Sequence, residues 1–383
     1  MTLLKKNIVF FFILFQLNNL SAQLFVSEKD GMYGYVDKQG SIKIPHKYNE
    51  GWNFNFHNYA YVKKGGKEYY IDTLGTEYRL ANNNIDSLTK ETIVLDLSYS
   101  RYQKIPPKVF DYPNIKFFFI NDANTHAISG PTYLEVLSPE IGNLINLNYF
   151  DLSRNRLKKI PPEIAQLENL QTLDLSNNEL DTLISEIGKL SSLTKLYLCG
   201  NRLTFLPQEI GNLENLKILE LSQNEFIKIP TEIGKLKSLE KLTLCGCQTG
   251  RLPLEFWNLI NLKSLDLSAC FVEELPTDFG NLTHLTFLNL EQNKLSKLPK
   301  EIGNLTKLER LYLYGNLLTS VPKEIGKLIN LKELDLSCNK LTVLPKEITN
   351  LKKIKILYLQ RNNFSQTEKT RIRKMLPLCI IAF

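Results

Sequence analysis

The sequence predicts an α/β solenoid, a linear stack of short strand–turn–helix repeats, preceded by a small N-terminal β segment. A nine-residue pattern, L-x-x-L-x-L-x-x-N, returns every 23 residues from Leu147 to Ile354. A second motif, L-P-x-E-I-G-x-L, follows most copies of the first. The 383-residue chain is 43% hydrophobic and 23% charged, which is typical of an ordered protein and not of a disordered one.

The repeat register is regular enough to count repeats. Copies begin at Leu147, Leu170, Leu193, Leu216, Leu239, Leu262, Leu285, Leu308, Leu331 and Ile354. Two weaker copies begin at Thr92 and Ile115, and a nine-residue insertion separates the second of them from Leu147. Twelve repeats therefore cover residues 92–362, and units of this size bury their apolar sides only by stacking on one another.

Each position of the repeat has a physical reason. Leucines two apart, such as Leu265 and Leu267, point to the same side of a strand. The asparagine that follows can turn inward and satisfy buried backbone groups. Proline is suited to the start of a helical turn, and the glutamate two positions later lies near the positive end of that turn.

These motifs resemble the leucine-rich repeat family, in particular its 23-residue LPxEIGxLxxLxxLxLxxN class common in bacteria. The resemblance covers residues 92–363, about three quarters of the chain. It implies a curved horseshoe with a parallel β-sheet on the concave side, and partner binding through that side. Twelve strands would make a sheet roughly 55 Å long.

The C-terminal residues 364–383 are predicted to cap the solenoid. Ser365 and Glu368 have capping-box spacing, and Pro377 is placed to end the helix that follows. The apolar stretch LCIIAF can then cover the last repeat.

Residues 23–80 have a different character. The stretches YGYVDKQGSIKIP (33–45) and EYYIDTLGTEYRL (68–80) each have aromatic residues followed by an apolar residue, Asp and a turn glycine. They resemble the bacterial WG repeat, although Tyr69 replaces the glycine found at Gly34. We expect this segment to pack on the first repeat, with residues 81–91 as the connection.

Residues 1–22 have the three parts of a secretory signal peptide. Lys5 and Lys6 precede a predominantly apolar run of ten residues, Ile8–Leu17, and Ala22 offers a small residue for cleavage. Ten residues are too few to cross a bilayer as a helix, so no membrane span is predicted. We expect an exported chain that resides in the periplasm, on the cell surface or in the medium.

No enzyme motif is present among the phosphate-binding, hydrolase and metalloprotease patterns, and the chain is predicted to be non-enzymatic and to need no cofactor. The histidines His46, His57, His126 and His284 are scattered, without zinc-ligand spacing. Asp151 and Asp174 occupy the same slot of adjacent repeats. They could form a calcium ladder, or they could be family consensus on a solvated face.

The third, fifth and seventh positions of the pattern should face outward on the concave side. Eight acidic residues occupy them: Asp96, Asp151, Asp174, Glu220, Asp266, Glu291, Glu333 and Asp335. Three basic residues occupy them: Lys195, Lys241 and Arg310. This face is predicted to be net acidic although the chain carries +7, which argues against nucleic acid as its partner.

Large aromatic residues occupy the same positions unevenly, and Tyr and Arg dominate binding hot spots. The predicted partner-binding residues are Tyr149, Tyr197, Phe287, Glu291, Arg310, Tyr312, Tyr314, Glu333 and Tyr358. The alternative is that these aromatics only improve packing between strands. Phe117 and Phe119 are expected to be covered by the N-terminal segment or by the insertion at 124–134.

The predicted function is protein–protein recognition through the concave face. A different class, an adhesin or binder of surface carbohydrate, would use the same aromatic and acidic residues to stack on and hydrogen-bond sugars. An effector with enzyme activity is disfavoured, because the sequence shows no catalytic constellation.

The pair Cys245 and Cys247 suggests a metal or redox site, but the register places the two on opposite sides of the sheet. Cys247 and Cys270 occupy the Asn position of consecutive repeats, about 5 Å apart. They could form a disulfide, or they could be small inward-facing residues of the scaffold.

Overall fold

The computed structural model describes residues 24–54, 60–82, 85–98, 100, 102–121 and 133–383. The predicted signal peptide, His57, His126 and most of the insertion at 124–134 lie outside the described residues. One compact unit holds the chain up to Leu97 together with Asn114–Phe118, and the other holds Ser98–Pro113 and Phe119–Phe383. No helix in the described ranges has the length and hydropathy needed to cross a bilayer.

The first unit is built from short antiparallel strands. They are β1 (Phe25–Lys29), β2 (Met32–Val36), β3 (Ile42–Tyr48), β4 (Glu50–Gly51), β5 (Ala60–Lys64), β6 (Lys67–Ile71) and β7 (Glu77–Asn82). Strands β1–β3 form one sheet, and β4–β7 pair in order in a second. After a 3-10 turn (Ile85–Ser87), β7 pairs in parallel with β8 (Val94–Asp96), the strand of the first repeat.

The core of this unit combines two buried tyrosines with aliphatic side chains. Tyr35 and Tyr48 are fully buried, and the Tyr35 hydroxyl donates to the Trp52 carbonyl oxygen at 2.7 Å. Gly34 lies so close to β3 that a Cβ would approach the Ile44 carbonyl oxygen to 2.7 Å. The close approach of β2 to β3 explains why residue 34 is a glycine.

The second unit carries the parallel sheet predicted from the repeats. Its strands are β10 (Tyr149–Asp151), β11 (Thr172–Asp174), β12 (Lys195–Tyr197), β13 (Ile218–Glu220), β14 (Lys241–Thr243), β15 (Ser264–Asp266), β16 (Phe287–Asn289), β17 (Arg310–Tyr312), β18 (Glu333–Asp335), β19 (Ile356–Tyr358) and β20 (Ile380–Ala382). The strand of the second repeat, β9 (Phe117–Phe119), contributes residues to both units. From β10 to β19 each residue pairs with the one 23 positions later, so equivalent side chains stack in rows.

The helical segment of each repeat is a 3-10 turn on the convex side. These turns span Pro107–Asp111, Pro139–Asn143, Pro162–Gln166, Ser185–Lys189, Gln208–Asn212, Thr231–Lys235, Leu254–Asn258, Thr277–Asn281, Lys300–Asn304, Lys323–Lys327 and Lys346–Asn350. In most repeats the proline stands just before the turn, and its carbonyl accepts the first hydrogen bond, as Pro207 does from Ile210 at 3.1 Å. At Gly234 a Cβ would lie 2.3 Å from the Glu255 carbonyl oxygen, so glycine lets adjacent turns pack closely.

A ladder of buried asparagines joins the repeats. Asn316 shows the pattern: its Nδ2 donates to the carbonyl oxygens of Leu290 (2.8 Å) and Leu313 (3.1 Å), and its Oδ1 accepts from the Leu295 N–H (3.0 Å). Two partners lie in the preceding repeat and one in its own. The equivalent residues are Asn155, Asn178, Asn201, Asn224, Asn293, Asn339 and Asn362.

Cys247 and Cys270 belong to this ladder. Their thiols donate to the carbonyl oxygens of Leu221 (3.4 Å) and Leu244 (3.1 Å), as the Asn amides do elsewhere. Both are free, so the scaffold interpretation is confirmed and the disulfide alternative is wrong. Burial raises the pKa of Cys247 to about 12 and also raises that of Cys270, which keeps both as thiols.

The same two repeats have unusual packing on the convex side. The Trp257 ring lies 5.1 Å from the Phe256 ring and 5.7 Å from the Phe279 ring, both in edge contacts. All three side chains are buried. Aromatic packing is thus concentrated where thiols replace amides in the ladder.

The predicted C-terminal cap, residues 364–383, contains helix α1 (Gln366–Met375), which ends before Pro377. The Ser365 hydroxyl accepts from the Glu368 N–H at 3.1 Å, the first half of the predicted capping box. The Glu368 carboxylate instead accepts from the Leu344 N–H at 3.1 Å, and Arg371 donates to the Leu344 carbonyl oxygen at 2.5 Å. This ion pair satisfies the backbone groups of Leu344, in the repeat that begins at Leu331.

Replacing Asn316 with alanine should lower the free energy of unfolding by roughly 3–5 kcal/mol, because three buried backbone groups lose their partners. Asn316→Cys should cost less, since a thiol restores one donor, as at Cys247. Urea unfolding measures both, with Asn363→Ala as the control at an exposed asparagine, where a change near zero is expected. Equal losses for the Ala and Cys variants would contradict the assigned role of the thiols.

The Glu368–Arg371 pair should make stability depend on acid. Arg371 holds the pKa of Glu368 below its ordinary value, so the contribution is present above the unfolded-state pKa of about 4.3 and is lost as pH falls through the lower folded-state value. Glu368→Gln should therefore lower stability by about 1 kcal/mol at neutral pH, and the difference should disappear at lower pH. Thermal unfolding followed across this range tests it; a pH-independent difference would refute it.

Candidate functional site: the concave face of the sheet

The concave face is formed by the third, fifth and seventh positions of each repeat. In β17, Leu311 is fully buried in the core, whereas Arg310 and Tyr312 on either side are half-buried on the opposite face. Because the strands are in register, Arg310 stands between Phe287 and Glu333, and Tyr312 stands beside Asp335. Neighbouring side chains on this face therefore lie in rows that run across the strands.

Four predicted residues form a connected group, which we call the aromatic cluster: Phe287, Arg310, Tyr312 and Glu333. The Arg310 guanidinium lies 5.0 Å from the Phe287 ring centroid, and the Tyr312 ring meets the Phe287 ring edge-on at 5.6 Å. The Tyr312 hydroxyl donates to Glu333 Oε2 at 2.8 Å. Phe287 is only 2% exposed, so it is the base of the cluster, and the other three side chains form its surface.

Three further predicted residues border the cluster. Tyr314 is half-buried and is hydrogen-bonded to the Cys338 side chain, which raises the tyrosine pKa. Tyr358 pairs in register with Asp335. Glu291 is half-buried, and burial followed by the charges of Asp335 and Asp266 raises its pKa to about 8.

Tyr149 and Tyr197 are not brought to the aromatic cluster. Strand β12, which carries Tyr197, is five strands from β17, a separation of about 24 Å. Tyr149 is 4% exposed and packs against Phe119, with ring centroids 5.0 Å apart. Tyr149 thus covers Phe119, for which the sequence predicted the N-terminal segment or the insertion at 124–134. Phe117 packs on Tyr78 of the N-terminal segment as expected, with ring centroids 4.9 Å apart.

Three aspartates of the fifth position are buried, which corrects the interpretation that this position lies on a solvated face. Asp151, Asp174 and Asp266 are 4%, 5% and 7% exposed. Each Oδ1 accepts from the backbone N–H two residues later, as Asp174 does from Ser176 at 2.8 Å. The recurring D-L-S triplet signals this turn, because aspartate commonly bonds the backbone two positions on.

The negative charge of this face is smaller than the number of its carboxyl groups, because several of them have raised pKa values. Burial, followed by the neighbouring Asp151, raises the pKa of Asp174 to about 7. Burial likewise raises the pKa values of Asp266 and Asp335. At neutral pH the concave face is therefore less negative than its eight acidic residues suggest.

The two lysines of this face differ in their surroundings. Lys241 Nζ lies 2.6 Å from Glu220 Oε1 in an ion pair, and burial lowers the pKa of Lys195. In the part of the chain that the structure describes, no group of three or more His, Cys, Asp or Glu residues is arranged to hold a metal ion. The calcium alternative therefore finds no support, since the aspartates bond backbone N–H groups instead.

Asp174→Asn should stabilise the protein as pH rises. A carboxyl with a raised folded-state pKa favours the folded state at low pH, and that advantage is lost between the unfolded value of about 3.9 and the folded value of about 7. Asparagine keeps the acceptor for Ser176 and has no charge to bury. Chemical unfolding across this range should show the variant gaining on the parent chain and then levelling off above neutral pH. A constant or shrinking difference would contradict the burial of charge at Asp174.

Comparisons with known structures agree with this geometry. A leucine-rich repeat protein of Leptospira interrogans is 36% identical over 77% of this chain and 81% of its own, with a TM-score of 0.66. The plant peptide hormone receptor RGFR1 in complex with RGF2 is 27% identical over 73% of this chain and 49% of that chain, with a TM-score of 0.59. An internalin of Listeria monocytogenes, 19% identical over 81% of this chain and 90% of its own, shares the fold with a TM-score of 0.57.

Sequence comparisons identify both parts of the chain. A family profile described as a leucine-rich repeat region matches residues 133–220 and 244–380. A WG containing repeat matches residues 33–67. Among curated protein sequences none matches the chain. Since the repeat-region profile covers more than half of its residues, the chain belongs to the leucine-rich repeat family, with a WG repeat on its N-terminal side.

Proposed function

We propose that this protein is a non-enzymatic recognition module that binds a protein partner through its concave face, centred on the aromatic cluster. The observation that carries the proposal is the contact chain Arg310–Phe287–Tyr312–Glu333, which holds an arginine and a tyrosine in fixed positions on an otherwise shallow sheet.

The cluster has the properties of a binding hot spot. Its arginine and tyrosine are of the residue types that contribute most to protein interfaces. Both are held before binding, Arg310 by the Phe287 ring and Tyr312 by the Glu333 carboxylate. A partner therefore has less side-chain entropy to remove on binding.

The similar structures support a protein or peptide ligand. Leucine-rich repeat proteins are typically protein-binding modules, and the plant receptor in the comparison is a peptide hormone receptor with RGF2 bound. This chain spans about half of that receptor chain.

Nucleic acid is a poor fit to the same face. Lys241 is already paired with Glu220, and Arg310 lies on Phe287 beside the acidic Glu333. Phosphate contacts need several free basic groups. Carboxylates outnumber them here.

Carbohydrate recognition is the second candidate. Tyr312, Tyr314 and Tyr358 are half-buried rings beside Glu333 and Asp335, an arrangement that can stack on and hydrogen-bond sugars. The Phe287 ring is already covered by Arg310 and Tyr312, which removes one stacking surface. A glycan array run beside a proteomic pull-down separates the two candidates.

The location that fits these ligands is outside the cytoplasm. We infer export from residues 1–22, whose basic start, apolar run and small-residue cleavage region follow the signal-peptide pattern. The exported chain would meet its partner in the periplasm, on the cell surface or in the medium. Cell fractionation with N-terminal sequencing of the mature chain tests this directly.

The triple variant Arg310→Ala, Tyr312→Ala and Tyr314→Ala should lose binding to the partner identified in the pull-down. Removing two hot-spot residues costs at least about 2–4 kcal/mol, a thirtyfold or greater loss of affinity. Isothermal calorimetry or surface plasmon resonance with the purified partner gives the number.

A matched control changes an arginine and an aromatic residue elsewhere on the solenoid. Arg202 and Phe205 are both exposed and lie outside the concave positions, so Arg202→Ala with Phe205→Ala should leave affinity unchanged. Full binding by the triple variant would remove the aromatic cluster from the interface. Binding of glycans in place of proteins would favour the second candidate.

A further inference from the structure

The net charge of this protein is concentrated at one end of the solenoid. Residues 346–383 contain nine basic and two acidic side chains. The remaining 345 residues hold 38 basic and 38 acidic residues, so they are neutral in sum. The formal charge of +7 therefore equals the net charge of residues 346–383, the span from the last 3-10 turn to Phe383.

Exposed aliphatic side chains lie within this basic end. Leu378 is 95% exposed and Ile380 is 69% exposed, the first just after helix α1 and the second at the start of β20. Arg373 and Lys374, both exposed, occupy the last turn of α1. Among the described residues, Leu378 is the most exposed of the large hydrophobic side chains.

The cap holds these groups in place. The Ile380 N–H donates to the Lys355 carbonyl oxygen at 2.9 Å, and β20 pairs with β19. The Phe383 ring lies 4.8 Å from the Arg373 guanidinium and 5.5 Å from Lys369 Nζ, and 6.3 Å from the Phe364 ring. Together Lys369, Arg373, Lys374, Leu378, Ile380 and Phe383 form what we call the basic end patch.

We propose that the basic end patch docks the protein on an anionic lipid surface, with Leu378 and Ile380 entering the headgroup region. Basic residues near such a surface are each worth about 1 kcal/mol, and aliphatic side chains between them add burial. The two contributions together give the reversible binding of a peripheral protein. This docking is independent of the concave face and of the partner proposed for it.

Other occupants fit the patch less well. A second copy would bring two strongly basic ends together. Nucleic acid stacks on open aromatic faces, but the Phe383 ring is already covered by two cations, and aliphatic side chains offer no stacking surface. A protein partner would need a pocket for the protruding Leu378, whereas a lipid surface accepts a protruding side chain without matching its shape.

Vesicle co-sedimentation tests the proposal with the full chain. Binding to vesicles that contain phosphatidylglycerol should exceed binding to vesicles of phosphatidylcholine alone, and the excess should fall as salt rises. Lys374→Ser should weaken the excess about fivefold and Leu378→Ser about tenfold further. Any contribution of residues 1–22, which include Lys5 and Lys6, is common to all variants, so the difference between variants reports the patch.

The control variant, Lys300→Ser with Leu254→Ser, removes one exposed lysine and one leucine that is 66% exposed elsewhere on the solenoid. It should bind as the parent chain does. Neither set of changes touches a buried contact, and unchanged thermal unfolding verifies that the variants fold.

A fluorescent probe tests directly whether the patch enters the bilayer. The chain has two tryptophans, so Leu378→Trp adds a reporter whose emission should shift to the blue with anionic vesicles only. Absence of that shift, or equal anionic binding by the patch variant and the control, would overturn the proposal. So would patch-dependent binding to an oligonucleotide without binding to vesicles.

Discussion

The constraint on which the solenoid depends is the need to satisfy backbone groups in a turn that is buried on both sides. Asn316 does this for two repeats at once, with one amide that gives two donors to carbonyl oxygens and accepts one N–H. Since its partners lie in consecutive repeats, the spacing between repeats has little freedom. The strict 23-residue period follows from this, because an added residue would leave the amide without its partners.

That rigid spacing determines which side chains are neighbours on the concave face. Side chains 23 residues apart become neighbours about 5 Å apart, so a residue finds its contacts along a row and not along its own strand. Arg310 meets Phe287, and Tyr312 meets Glu333, only because β16, β17 and β18 are in register. The scaffold thus converts a linear repeat into a surface of defined chemistry without building a pocket for it.

Much of the fold was predictable, because the repeats can be aligned with one another within the single sequence. The strands, their parallel order, the inward asparagines and the two ladder cysteines all follow from comparing one repeat with the next. Side-chain burial on the concave face did not follow. An aspartate such as Asp174 is usually exposed to solvent. Its burial depends on neighbours in other repeats and on the turn that closes over its carboxylate, which a single repeat does not reveal. Glu368 likewise leaves its capping-box role because Arg371 and Leu344 offer stronger partners.

The two cysteines change how neighbouring repeats are joined, because Cys247 bonds repeat seven to repeat six and Cys270 bonds repeat eight to repeat seven. A thiol is a weak donor and cannot replace the amide as an acceptor, so directional coupling is reduced there. The buried rings of Phe256, Trp257 and Phe279 supply nondirectional contact between repeats seven and eight. Apolar association is driven by solvent entropy and weakens on cooling. In an array whose cooperativity passes only between neighbours, this joint therefore depends more on apolar contact, and less on directional hydrogen bonds, than a joint made by an asparagine.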